Sequence, residues 1–210
     1  MHHTVGMDIG VIGSGNIGGT VATLLARAGH QVAVSNRRGP DSLAELVDSI
    51  GPNAHAATVE DAAQFGDVVF LAVPWRTPEA LPPADLVDGK VVVDAMNPYS
   101  ESFGIIDTSP TSSSEMTAER LPGARLVKGF NTMLAATLAS GGGKPPGERL
   151  VLFVSGDDAD AKAVVSGLIS EIGFAPVDLG SLAEGGRRQQ PGGDLYKAPT
   201  EADLGDSLGD

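Results

Sequence analysis

Met7-Asp8-Ile9-Gly10-Val11-Ile12-Gly13-Ser14-Gly15-Asn16-Ile17-Gly18-Gly19 is the stretch whose reading decides the fold. It opens as an apolar run of strand length with β-branched Ile9, Val11 and Ile12, then breaks into glycines. Ile17, Val21, Leu24, Leu25 and Ala28 follow at helical spacing, with Gly29 at the stop position. A second strand, Gln31 to Ser35, completes a βαβ unit. In that setting the glycines acquire separate roles. Gly13 permits the tight turn, Gly15 lets the backbone approach a pyrophosphate, and Gly18 lets the helix pack closely on the strand. The candidate contacts are Gly13, Ser14, Gly15, Asn16 and Ile17, with the anion on the amides of the helix N-terminus. A chain with 28 glycines also produces chance matches, so a plain glycine turn is the competing reading. The flanking strand and helix favour the nucleotide.

Outward from this unit, strands and helices keep alternating. Ser42 with Glu45 predicts a capping box for a helix carrying Leu43, Leu46, Val47 and Ile50. Ala54–Ala57 is a weak strand, and Thr58 with Asp61 predicts another cap. Asp67 to Val73 is continuously apolar, as a parallel strand covered on both faces must be. Val91–Val93, Leu126–Val127, Val151–Val154 and Ala175–Val177 are further strand candidates, the last two separated by an apolar-striped helix. The expectation is an α/β fold, a doubly wound parallel sheet of Rossmann type with a small C-terminal extension. Pro98 to Ser114 reads as a long loop over the carboxyl edge, and Ala139 to Gly147 as a flexible connection. The expected division is a dinucleotide-binding domain at 7–147, a small α/β region at 148–196 closing the cleft, and a disordered acidic tail at 197–210.

Composition narrows the function. The 210 residues carry 14 Lys and Arg against 27 Asp and Glu, a net charge of −13, which argues against nucleic acid. No run approaches the roughly 18 apolar residues of a membrane helix, and the first residues lack a secretory pattern, so a cytoplasmic protein is expected. With no cysteine, and no histidines at ligand spacing apart from the terminal His2-His3 pair, no metal site is expected.

The end of the second strand bears on cofactor type. An NAD site places an acid there to bond the ribose, whereas this chain has Ser35-Asn36-Arg37-Arg38. Two guanidiniums and a hydroxyl suit a 2′-phosphate, so NADP(H) is favoured over NAD. Beyond the other strand ends lie Val73-Pro74-Trp75, Asp94-Ala95-Met96-Asn97 and Gly129-Phe130-Asn131-Thr132-Met133. Trp75 either stacks on a flat ring or is plain packing. Met96 and Met133 read as wall residues. Asn97 and Asn131 either aim amides at a nicotinamide or serve as cap and turn residues. Proton donors are scarce. His30 and His55 fall far from the expected cleft, and Asp94 and Lys128 are the only ionisable groups near strand ends that could serve. Asp94 either serves there or holds a loop, and Lys128 either serves or is merely exposed.

The runs Gly13–Gly19, Ser35–Pro40, Leu71–Trp75, Val127–Thr132, Phe153–Asp158 and Gln190–Tyr196 resemble the NADPH-dependent reductases of coenzyme F420, from Met7 to about Tyr196. The resemblance implies NADPH along the glycine loop and a deazaflavin in a cleft closed by the C-terminal region. Pro74, Asn97, Asn131, Thr132, Met133 and the segment Gly193, Asp194, Leu195, Tyr196 would line that cleft; Asp194 departs from the family pattern, which commonly has proline there. It also implies a homodimer. Because a deazaflavin takes hydride at carbon and spreads charge over its rings, the expected chemistry runs by alignment, with no catalytic acid or base assigned. An NADPH-dependent reductase of a small carbonyl or imine, with Lys128, Tyr99 or Tyr196 as donor, is the alternative. A non-catalytic NADP(H)-binding protein is the third.

Overall fold

The computed structural model describes residues 6–197 and 199–204. Eight strands form one sheet in the order β3-β2-β1-β4-β5-β6-β7-β8. They are β1 (Asp8–Ile12), β2 (Gln31–Ser35), β3 (Ala54–Ala57), β4 (Val68–Leu71), β5 (Val91–Asp94), β6 (Arg125–Lys128), β7 (Val151–Gly156) and β8 (Ala175–Asp178). The first six are mutually parallel. Their register sets Ser35, Ile12, Leu71, Asp94 and Lys128 side by side across the sheet. One row of strand ends therefore faces one edge, and the order reverses on either side of β1, where α/β sheets open a crevice.

Helix α1 (Asn16–Ala28) shows how the sequence sets this geometry. It ends as expected at Gly29, which is left-handed at φ 104°. Its buried stripe is Gly18, Val21, Ala22, Leu25 and Ala26, while Ala28 is exposed. The face is turned toward the small residues because these let the helix axis approach the strands. Valine and isoleucine fill both faces of the sheet. Ile9, Val11, Phe70 and Val93 pack on one side with α1, and Ile12, Val69, Leu71 and Val92 on the other with α3 (Val59–Phe65). This is the double coverage that the continuous apolar strands predict.

Two local expectations change and one holds. Ser42 forms no capping box: it lies in a 3₁₀ turn (Pro40–Leu43) ahead of α2 (Ala44–Ile50), and its hydroxyl donates to the Gly39 carbonyl at 2.8 Å. The Thr58 cap on Asp61 does form. The long loop after β5 ends at α4 (Ser113–Arg120), whose Ser112–Glu115 capping box the sequence reading passed over.

The larger difference is the direction of β7. It pairs antiparallel with β6, and only through Val127 with Gly156 and Lys128 with Ser155. Residues 129–150, which include the short α5 (Ala135–Ser140), carry the chain to β7 without returning it to the amino edge. β7 therefore starts beyond the carboxyl end of β6, and β8, linked by α6 (Ala159–Glu171), runs parallel to it. The acidic segment expected to be disordered is ordered over part of its length. Helix α8 (Glu201–Leu204) buries Leu204, and Glu201 pairs with Arg149 at 3.1 Å. Residues 205–210, also in that expectation, lie outside the described residues.

Gly18 is the tightest point of the βαβ unit, since a Cβ there would collide with the Gly13 carbonyl. Gly18→Ala should lower stability by about 1–3 kcal/mol, the usual result of forcing atoms into a packed site. The shift in urea midpoint measures it, and an unchanged midpoint would contradict the close approach.

Candidate functional site

The glycine loop joins β1 to α1 at the crevice. Gly13 is positive in φ at 110°, and a Cβ there would strike the Ala72 carbonyl beyond β4. Gly15 is the opposite case: it is the N-cap of α1, and a Cβ on it would meet no atom within 4 Å. No side chain caps this helix and no acid lies in its first turn, so its N-terminal amides and dipole face open space. Asn16 is exposed and Ile17 packs against the core. A groove of about 430 Å³ runs from Ser14, Gly15 and Asn16 down the flank of α1 to Arg27, Leu46 and Ala139.

Asn36 ties the end of β2 to this loop. Its Nδ2 donates to Ser14 Oγ at 3.0 Å and to Ser42 Oγ at 3.0 Å, and its Oδ1 accepts from the Arg38 amide at 2.8 Å. Arg37 and Arg38 are both exposed, and neither guanidinium has a hydrogen-bond or ion-pair partner among the described residues. Ser35 is corrected: it is fully buried, and its hydroxyl donates to the Val11 carbonyl at 3.2 Å. The hydroxyls available at this turn are those of Ser14 and Ser42. Val73 and Pro74, partly buried and exposed, follow β4 on the far side of the loop.

Trp75 resolves as packing. It is buried, its Nε1 donates to the Ser113 carbonyl at 3.0 Å, and the Arg120 guanidinium lies 5.3 Å from its ring. Met133 is buried in the core beside Phe130 and Leu138, and Leu195 is buried with Val151 and Phe153, so neither is free to line a cleft. Asp194 is exposed and pairs with Arg188 at 2.9 Å, which accommodates the departure from the family pattern. Thr132 is partly buried, and Gly193 borders a 220 Å³ pocket with Thr108, Thr111, Arg187 and Gln190.

The asparagines meet each other. Asn131 Nδ2 donates to Asn97 Oδ1 at 3.0 Å and to the Gln189 carbonyl at 2.7 Å, while its Oδ1 accepts from Gln189 Nε2 at 3.0 Å. Asn97 Nδ2 donates to the Asn131 carbonyl at 2.9 Å and to the Tyr196 hydroxyl at 3.3 Å. The amide of Asn131 is thereby spent on holding the loops after β5 and β6 against α7 (Gly185–Gln189). Beneath them lies a buried ion pair. Lys128, 0% exposed, stands 3.4 Å from Asp94 and also donates to the Met96 carbonyl, correcting the reading of an exposed lysine. Asp94 further accepts from Ser114 Oγ at 2.7 Å and the Met96 amide at 2.9 Å, so it does hold a loop. Burial pushes the Lys128 ammonium below its ordinary pKa, against the pull of Asp94.

Three apolar side chains stand out: Phe103 is 84% exposed, Leu134 78% and Ile105 57%. All lie on loops following β5 and β6. The sequence reading passed over them, although Phe103-Gly104-Ile105-Ile106 is an apolar insert in a Ser-rich loop. His30 and His55 are structural. His30 Nδ1 accepts from the Met7 amide at 3.1 Å and its Nε2 meets Glu171 at 2.7 Å, and His55 packs edge-on against Phe65.

Comparison with known proteins places this geometry. The model of the coenzyme F420-dependent NADP oxidoreductases matches residues 8–98. A solved structure from Arthrobacter sp. FB24, proposed to be an F420-dependent NADP reductase, is 32% identical with a TM-score of 0.72, covering 84% of this chain and 86% of that one. The chain belongs to the F420-dependent NADP oxidoreductase family. A hypothetical protein from Sinorhizobium meliloti is 39% identical with a TM-score of 0.82, over 92% of this chain and 95% of that one. Metalloreductase STEAP3 of Rattus norvegicus is 35% identical over 176 residues, 83% of this chain and 34% of its own length. The chain thus spans about a third of the curated relatives it matches. Among the described residues, no helix is long and apolar enough to cross a membrane.

Breaking the buried pair tests its structural role. Lys128→Met leaves Asp94 buried and uncompensated, which should cost about 3–5 kcal/mol in urea denaturation. Asp94→Asn combined with Lys128→Met should recover part of that loss. A single variant as stable as the wild type would contradict the coupling.

Proposed function

We propose that this member of the family moves a hydride between NADP(H) and coenzyme F420. The observation that carries the reading is the pairing of an uncapped α1 N-terminus at Gly15 with two guanidiniums at the end of β2 that have no partner among the described residues. On this reading the first-turn amides at Asn16 and Ile17 hold the pyrophosphate, because the open space at Gly15 admits it and the helix dipole favours the charge. Arg37 and Arg38 hold the 2′-phosphate, and no carboxylate stands at Ser35 or Asn36 to repel it. When bound, the dihydronicotinamide supplies the hydride. The chain supplies position: the Asn97–Asn131 bridge and the Asp94–Lys128 pair fix the loops beneath a ring at the carboxyl edge. Exposed Phe103, Ile105 and Leu134 offer an apolar rim that suits a flat acceptor such as a deazaflavin. A reductase of another small acceptor is the second reading, favoured by the identity with a metalloreductase.

The test mixes the protein with NADPH and oxidised F420 and follows the deazaflavin's visible band. The band should bleach with NADPH and far more slowly with NADH. Persistence of the band while NADPH is consumed by a ferric chelate or a cyclic imine would favour the second reading. Arg37→Ala should weaken NADPH by about 10- to 100-fold, the value of one charged hydrogen bond of roughly 1.5–3 kcal/mol, and leave NADH nearly unchanged. Equal losses for both nucleotides would contradict the 2′-phosphate assignment. Gly15→Val should abolish binding of both in a folded protein, since its side chain would fill the open cradle.

A further inference from the structure

A reduction by hydride leaves negative charge on the acceptor, and the polar groups beneath the carboxyl edge cannot relieve it. Lys128 and Asp94 are fully buried and committed to each other, Met96 and Ser114. His30 precedes β2 and so lies at the opposite, amino edge of the sheet.

The loops above hold a phenolic proton that no described residue accepts. Asn97 Oδ1 accepts from Asn131 Nδ2 at 3.0 Å, which fixes the amide's orientation and directs its Nδ2 at the Tyr196 hydroxyl, 3.3 Å away. An amide nitrogen only donates, so the Tyr196 oxygen accepts there. The Tyr99 hydroxyl lies 3.2 Å from the same oxygen. Two phenols bring two protons, and the bond between them uses one. The other has no acceptor among the described residues, whichever ring carries it. Both tyrosines are partly buried, neither sealed in the core nor free in water. Asn97, which anchors them, follows β5, and Asn131 follows β6, so the pair stands at the carboxyl edge.

We propose that the Tyr99–Tyr196 pair delivers the proton that accompanies hydride transfer to the acceptor; this rests on the oxidoreductase reading above. The acceptor gains a C–H bond with two electrons from the dihydronicotinamide, which is oxidised to NADP⁺. One ring heteroatom of the acceptor takes the phenolic proton as its O–H bond breaks. The phenolate is then reprotonated from solvent. Burial holds the Tyr196 phenol above its ordinary pKa, so it remains protonated across the neutral range.

The experiment compares the wild type with Tyr196→Phe and Tyr99→Phe in single turnover, with NADPH and F420 both saturating. Tyr196→Phe removes the shared oxygen and should slow reduction by about 10²–10⁴-fold, the range for a lost proton-transfer group, with the NADPH dissociation constant unchanged. Tyr99→Phe should lose less, because Tyr196 keeps its anchor on Asn97. The solvent deuterium isotope effect on the rate should be present in the wild type and absent in Tyr196→Phe. Oxidised F420 bound without nucleotide supplies a readout independent of turnover: its visible band should shift between the wild type and Tyr196→Phe, which lacks the phenolic hydrogen bond. Wild-type rate, isotope effect and bound spectrum in Tyr196→Phe would overturn this proposal alone. A wild type that never bleaches F420 would overturn the proposed function and this proposal with it.

Discussion

The contact between Gly18 and the Gly13 carbonyl is the constraint on which the site depends. It is a backbone-to-backbone approach that a single methyl would block. Because it holds, the first turn of α1 sits directly over the end of β1, and the uncapped amides point out at Gly15. Most helices satisfy such amides with a Ser, Thr, Asp or Asn cap. Here the cap is a glycine with open space around it, an arrangement that gives up local helix stability and leaves room for an anion. The neighbouring turn is fixed to the same loop by the Asn36–Ser14 hydrogen bond, so the guanidiniums of Arg37 and Arg38 rise from a positioned backbone.

A second layer of order lies beneath the carboxyl edge. Asp94 and Lys128 are register partners on adjacent strands, and burying both charges carries a desolvation cost that their mutual attraction and three further polar contacts offset. Such a pair is weak as a source of stability and strong as a source of specificity, because any shift of register would orphan a charge. Above it, Asn97, Asn131 and Gln189 cross-link three segments far apart in sequence. The loops that border the proposed acceptor position are therefore stiff where they leave the sheet and apolar at their tips.

The parts of this architecture legible in the sequence are those that depend on local pattern. The apolar run before Gly13, the stop at Gly29, the Thr58 cap and the unbroken Val68–Leu71 strand each follow from a few neighbouring residues. The glycine loop and the Arg37-Arg38 turn were legible too, since their spacing is set by one βαβ unit. The burial of Lys128 was not, because its partner is 34 residues away and a lone lysine reads as exposed. Leu195 and Met133 misled, and Trp75 stayed open between stacking and packing, for a related reason: sequence places them near a strand end or a motif, but packing partners decide which way each side chain turns. The reversal of β7 depends on the path of residues 129–150, which has no local signature. Tyr99 and Tyr196 are 97 residues apart, and only the fold brings their hydroxyls together.

A crystal structure of the protein with NADP⁺ tests the central claim most directly. The account predicts the pyrophosphate on the first-turn amides of α1 beside Gly15, the 2′-phosphate between Arg37 and Arg38, and the nicotinamide over the carboxyl ends of β4, β5 and β6. A nucleotide seated elsewhere, along the α1 groove toward Arg27 or in the pocket bounded by Thr108 and Arg187, with the glycine loop bare, would contradict it.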